Sequence, residues 1–188
     1  MPDNQSMKHA LAEGLRTIMR KTPFDNISVV DICNESAVSR RSFYRYFKDK
    51  YELLNWTYYD AFLYMFDDKK TPHAISLYPH VCRHLYLDRE FYLNAFDVKG
   101  QNSFREYCTE RLYPYLERDY GDACMTEKER KFYITRLIDA VFDNLQEWLR
   151  TEPCVPPDEY VEKAVRSITR MSVRLASVAL TVSEQMGL

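Results

Sequence analysis

The stretch Val29-Val-Asp-Ile-Cys-Asn-Glu-Ser-Ala-Val-Ser-Arg-Arg-Ser-Phe-Tyr-Arg-Tyr-Phe-Lys-Asp-Lys-Tyr-Glu-Leu-Leu54 decides the reading of this chain. Ser28 precedes it as an N-cap, and Ser28-Val-Val-Asp31 is a capping box with Asp where Glu or Gln is usual, so a helix over about 29–35 is expected. Ser36-Ala37-Val38 breaks the pattern. Ser39 then caps a helix of roughly 40–46, Phe47-Lys48 turns the chain, and Asp49 with Glu52 opens a long helix of about 50–68. Upstream, Leu11, Leu15 and Ile18 form one stripe of a first helix over about 7–21, which Pro23 ends. Val30, Ile32, Cys33, Val38, Phe43 and Phe47 are the apolar positions expected to pack the two short helices on it. Two such helices joined steeply by a turn of a few residues form a helix-turn-helix. Its second helix, roughly 10–12 Å across, fits the major groove of DNA.

The charge pattern agrees. Residues 39–50 carry Arg40, Arg41, Arg45, Lys48 and Lys50 against Asp49 alone, while the whole chain has net charge -2. That excludes a nucleic-acid binder basic over its whole surface and leaves a local basic face. Two arginines at a helix N-terminus oppose the macrodipole, at a cost of a few tenths to about 1 kcal/mol. The placement makes sense where the helix end meets a polyanion. Arg40, Arg41 and Ser42 are the candidates for base edges, because Arg pairs with guanine in a bidentate way. Tyr44, Arg45, Tyr46, Lys48 and Lys50 suit phosphates, Lys50 together with the free N–H groups of the next helix's first turn. Ser28 and Ser39, at the two helix starts, complete the DNA-facing set. Taken alone, the basic cluster reads equally as a solvated face.

The rest of the chain reads as helices too: about 73–86, 89–97, 102–119, 127–150 and 158–183. Thr126-Glu-Lys-Glu129 is a capping box for the fourth of these, and Pro153, Pro156 and Pro157 separate the last two. Pro79 and Pro114 fall inside helical patterns and are expected to kink or interrupt them. Gly occurs only 4 times in 188 residues, few for a fold rich in tight turns, and no segment alternates as a strand does. The fold class expected is all-α. It divides into a helix-turn-helix domain over 1–50 and a helical regulatory and dimerisation domain over 51–188, with a texture change at Asp67–Pro72. With 46% hydrophobic and 29% charged residues the balance is that of a globular protein with a real core.

Other chemistries find little support. Cys33, Cys82, Cys108, Cys124 and Cys154 are odd in number and lack a C-x-x-C spacing, so neither a disulfide framework nor a zinc cluster is indicated. His80 and His84, at i and i+4, are close enough to share a metal, but no third ligand is identifiable and no metal is expected. Asp67-Asp68 and Asp139/Asp143 are carboxylate pairs of the kind routine on solvated helices. No nucleophile elbow, phosphate loop or His-Glu-x-x-His occurs, so no catalytic residue, cofactor or enzymatic activity is expected. Met1–Ser6 lacks the features of a signal peptide, and no stretch approaches the ~20 apolar residues that span a bilayer, which points to a cytoplasmic protein.

Residues 7–54 resemble the DNA-binding signature of the TetR/AcrR regulators. In that family an Ile-containing short helix leads to a Gly-Val-Ser turn, a Tyr-x-His/Tyr-Phe run and a Lys-Glu-x-Leu start of the fourth helix. Val38-Ser39, Tyr44-x-Tyr46-Phe47 and Lys50-x-Glu52-Leu53 match these. Three positions depart from it. Ala37 replaces the turn Gly, at a cost of about 1 kcal/mol if the site is left-handed. Tyr51 stands where Glu is frequent, and Arg41 where small residues are. The resemblance implies a homodimer on a roughly palindromic double-stranded operator, half-sites a helical turn or more apart. It also implies a small-molecule effector that releases repression by tilting the fourth helix.

By the same resemblance the last two helices form a four-helix bundle with the partner. Leu137, Val141, Leu145 and Trp148 on the eighth helix, and Val165, Ile168, Met171 and Leu175 on the ninth, are the expected interface; the same spacing also suits an internal core. Among the many aromatic residues, Phe62, Phe66, Tyr86, Phe91, Phe96, Tyr107 and Phe142 are the expected lining of an effector pocket, with core packing as the plainer role of any one. Two rival readings stand beside this: a TetR-like adaptor or co-activator acting through protein contacts of residues 55–188, and a small helical enzyme or metal-binding module.

Overall fold

The computed structural model describes residues 4–66, 73–100, 103–123 and 126–186. The expected helix end at 68, the Asp67–Asp68 pair, the Asp67–Pro72 boundary, Cys124 and the first three residues lie outside the described residues. The described residues form nine α-helices and no strand: α1 (Asn4–Met19), α2 (Val29–Glu35), α3 (Arg40–Tyr46), α4 (Lys50–Ala61), α5 (Tyr78–Leu87), α6 (Arg89–Asp97), α7 (Phe104–Tyr120), α8 (Glu127–Arg150) and α9 (Pro157–Met186). Short 3-10 turns lie at Phe24–Asn26, Leu63–Phe66, Ala74–Leu77 and Gly121–Ala123.

The N-terminal unit is built from local rules. The Ser28 hydroxyl accepts from the Asp31 N–H while the Asp31 carboxylate accepts from the Ser28 N–H, a complete capping box. After α2, the Val38 N–H reaches the Cys33 carbonyl and the Ala37 N–H the Asn34 carbonyl, the double bond of a Schellman turn. Its left-handed residue is Ala37, with φ of 53°. Ser39 then caps α3 by accepting from the Ser42 N–H. Leu11, Leu15, Met19, Ile32, Cys33, Val38, Phe43 and Phe47 close over one another as a core. Val30 is a correction: it is 42% exposed, and its neighbour Val29 packs inward instead. At Gly14 an added Cβ would lie 2.9 Å from the Ser36 Cβ, so glycine is what lets α1 approach the end of α2.

Further along, α4 stops at Ala61, short of 68. Its buried residues Leu53, Leu54, Thr57 and Tyr58 share one face, and at ~100° per residue a continuing helix would carry Phe62, Leu63 and Phe66 off it. The break keeps all three buried. Pro79 sits in the first turn of α5 rather than inside a helix, where its missing N–H had no partner to lose. α7 runs through Pro114 without a break, on an exposed face where water can satisfy the carbonyl left free.

The two halves meet at α1, α4, α6 and α7. α4 packs on both α1 and α7. Arg16 and Arg20 of α1 both donate to the Asp88 carboxylate at 2.8 Å, just before α6, and the Asn94 amide donates to the Met19 carbonyl. The longest packing contact joins α7 to α8. α9 is anchored at its base: Tyr160 stacks on Trp148 with ring centroids 4.2 Å apart, and Arg83 pairs with Asp158. From Val165 to Val182 it is exposed on every face.

Candidate functional site

α3 presents four side chains over one arc. At ~100° per residue, Arg40, Tyr44, Arg41 and Arg45 fall within about 140° of one another, and all four are exposed. Phe43 lies on the opposite side at 0% exposure and holds the helix to the core. Arg40 and Arg41 make no ion pair with any described residue, and Arg45 lies only beside the Tyr46 ring. The helix therefore carries three arginines outward with no counter-charge paired to them among the described residues.

The remaining residues of the DNA-facing set take other roles. The Ser28 and Ser39 hydroxyls are occupied as caps, and the Ser39 hydroxyl donates to that of Ser42. The Tyr46 hydroxyl donates to Asn4 at the start of α1. Lys48 is exposed beside Asp49, with its own N–H bonded to Glu52. Lys50 is a correction. Its ammonium turns inward and donates to the carbonyls of Phe24 and Ile27 at 2.8 and 2.7 Å, and to Asp25 at 3.3 Å. It also lies 4.5 Å from the centre of the Phe24 ring. Burial pulls its pKa below the ordinary lysine value, and the nearby Asp25 charge opposes that shift. The carbonyls of a 3-10 turn offer the concentrated negative potential that a phosphate would have supplied. Lys50 thus fixes the start of α4 to the connector between α1 and α2.

A cavity of about 440 Å³ lies in the C-terminal half. Of the seven aromatic residues proposed for an effector pocket, Phe62, Phe66 and Phe142 line this cavity. Tyr86, Phe91, Phe96 and Tyr107 do not, and each is otherwise engaged. Tyr86 stacks towards Trp148, Phe91 is fully buried under the Arg16 guanidinium, Phe96 packs on Phe104 and Phe142, and Tyr107 lies beside Arg111. The residues missed include one whole wall. Phe104, Cys108, Leu112, Leu116 and Tyr120 recur every four positions along α7 and form one wall. That spacing is legible in the sequence, but a search confined to aromatic side chains passes over it. Burial raises the Cys108 thiol pKa well above the usual range, so the group facing the cavity is a neutral thiol.

The expected dimer face also divides. Leu145 and Trp148 are 4% and 5% exposed and belong to the interior, a correction whose cause is α5 and the base of α9 covering that side of α8. The Trp148 indole N–H donates to the Val155 carbonyl. Leu137 is exposed and Val141 half-buried, while Val165, Ile168, Met171 and Leu175 are all exposed. The continuing stripe adds Val178 and Val182. His80 is exposed and His84 half-buried against Phe62 and Tyr92; among the described residues no three His, Cys, Asp or Glu side chains gather as metal ligands.

The model for bacterial regulatory proteins of the tetR family matches residues 13–55, and the TetR model described as a transcriptional regulator C-terminal region matches residues 73–170, more than half of the chain. The chain belongs to the TetR family of transcriptional regulators. A curated relative, the HTH-type dhaKLM operon transcriptional activator DhaS of Lactococcus lactis subsp. lactis (strain IL1403), is 31% identical over 58 residues. That match spans 31% of this chain and 31% of the relative. Among solved structures, a dihydroxyacetone kinase operon activator DhaS superposes with a TM-score of 0.64 at 18% identity, covering 89% of this chain and 97% of that one. NalD of Pseudomonas aeruginosa, the secondary repressor of the MexAB-OprM multidrug efflux pump, gives 0.63 at 15% identity with the same coverage. A TetR regulator from Streptococcus agalactiae 2603V gives 0.54 at 17% identity, covering 88% and 94%. At these identities the structures speak for the fold, an all-α one with the family's N-terminal helix-turn-helix. The family's members are regulators rather than enzymes. Among the described residues no helix is long and apolar enough to cross a membrane.

Proposed function

We propose that this TetR-family chain binds operator DNA as a homodimer, each copy laying α3 in a major groove. The outward arc of Arg40, Arg41, Tyr44 and Arg45, free of ion pairs among the described residues, carries the reading. Desolvated arginines need acceptors, and base edges with flanking phosphates supply them. Arg40 and Arg41, at the leading end of α3, take base edges; Tyr44 and Arg45 take phosphates. Two-fold symmetry then calls for a roughly palindromic site. The apolar stripe of α9 with Leu137 of α8 is the surface for the second copy. The cavity is the effector site, and α4, which touches both halves, passes its state to α3.

Selection of bound duplexes from a random pool, at stated salt, tests this. A palindromic consensus is expected, and Arg41→Ala should change the base preferred at one position of each half-site. Recovery of unselected DNA, or no binding at low salt, overturns the reading. Repression relieved by the effector is the mode proposed. DhaS is named an activator and NalD a repressor, so reporter output from the selected site fixes the sign: a rise on removing the chain supports repression, and a fall reassigns it to activation.

A further inference from the structure

The cavity wall and the uncovered apolar stripe share residues. Leu137 and Val141 of α8 and Ile168 of α9 belong to both, and Ser172 of α9 completes that side of the cavity. In the lone chain Leu137 is 41% and Ile168 60% exposed, so this wall stands open to water. Sites for small molecules bury ~70–90% of the ligand surface, which an open wall does not do.

We propose that a second copy of the chain, seated on the α8–α9 face, completes the cavity, and that the completed site takes an uncharged, largely apolar molecule. Ligand occupancy and dimerisation are then linked. The inference rests on the homodimer reading above and adds a site that one chain lacks. From Val165 to Val182 the exposed stripe runs about 25 Å at ~1.5 Å per residue. A continuous uncovered apolar face of that length, extended by Leu137 of α8, is the kind of surface that marks a contact between proteins. It is continuous with the cavity rim, so the same second copy that covers the stripe lies over Ile168.

The ligand class follows from the lining. Among the described residues it contains no Asp, Glu, Lys, Arg or His. Its polar groups are the Tyr78 and Tyr120 hydroxyls, the Ser172 hydroxyl and the Cys108 thiol. Burial, with the bond it donates to Tyr160, raises the pKa of the Tyr78 phenol, and burial raises that of the Cys108 thiol, so both stay neutral. A carboxylate or ammonium entering here would lose its hydration with no counter-charge to replace it. A neutral molecule with one or two hydroxyl-sized polar groups meets no such cost.

The test uses the full chain and the uncharged fluorophore N-phenyl-1-naphthylamine. The probe is titrated at protein concentrations on both sides of the dimer dissociation constant, measured by sedimentation. At least tenfold tighter binding per chain is expected for the dimer, and saturating probe should tighten the dimer by the square of that factor, as linkage requires with two sites per dimer. Leu175→Asp, on the stripe but outside the cavity wall, should give a monomer that binds the probe at least tenfold more weakly. Where the wild type never dissociates, or the variant fails to fold, acrylamide quenching of the bound probe in the dimer decides: strong protection is expected. Dodecan-1-ol should displace the probe, and dodecanoate at pH 8 should need at least tenfold more. Equal binding by monomer and dimer, free quenching in the dimer, or no binding to the dimer overturns the completed site. Equal displacement by the two competitors overturns the neutral class. A chain that stays monomeric at every concentration overturns the homodimer reading itself.

Discussion

α3 and α9 are both amphipathic and both held by few contacts, yet they end differently. α3 is seven residues long and buries its apolar side completely, through Phe43 at 0% exposure. α9 is thirty residues long and leaves Val165, Ile168, Met171, Leu175, Val178 and Val182 uncovered after its base docks on α5 and α8. A helix of two turns has too few internal hydrogen bonds to persist alone and depends on its packing. A long helix persists without full cover, so its apolar face can be kept for another chain. What α3 holds outward is charge, which stays comfortable in water. What α9 holds outward is oil, which does not.

Stability and assembly measurements test that contrast directly. The largest effect belongs to the joint between the halves. Asp88 is 11% and Arg16 14% exposed at the side chain, so Asp88→Ala strands a mostly buried guanidinium and should cost about 3–5 kcal/mol in urea unfolding. A loss below about 1 kcal/mol would show the halves to be independently held. Next, Leu15→Ala, in the N-terminal core, should cost about 3 kcal/mol by the same measurement. Leu175→Ala should leave a monomeric chain's stability within about 0.5 kcal/mol and instead weaken the concentration dependence of Tm. Equal losses at the two sites would erase the distinction.

Lys50→Met should cost about 2 kcal/mol, because three carbonyls lose a charged donor, and should leave the salt slope of DNA binding unchanged. A slope reduced by about one would return Lys50 to the phosphates. The smallest pair has opposite signs. Gly14→Ala should destabilise by about 1 kcal/mol despite its better helix propensity, since Ser36 blocks the new methyl group. Ala37→Gly should stabilise by about 1 kcal/mol by relieving the left-handed turn. Calorimetric melting separates the two, and like signs would refute the account of the α2–α3 turn.

Most of the helix-turn-helix was legible. The caps at Ser28, Ser39 and Thr126 and the turn at Ala37 involve residues within five positions of each other, and their expected helix boundaries agree with the structure. Pro79 and Pro114 were misread because a proline's effect depends on whether its N–H had a partner and whether water reaches the carbonyl it frees. The aromatic pocket was legible only in part. Phe91 and Phe142 look alike in sequence, and one lies under Arg16 while the other faces the cavity.

From its amino-acid order alone the chain specifies the helices, their caps, the left-handed turn and the arginine-bearing face of α3, because each follows from interactions over a turn or two of backbone. Three things waited on tertiary structure. They are the inward path of the Lys50 ammonium to Phe24 and Ile27, the cavity wall contributed by α7, and the division of the α8–α9 stripes into a buried base and an open face. Each is set by which distant segments compete for the same side chain, and helical periodicity carries no record of that competition.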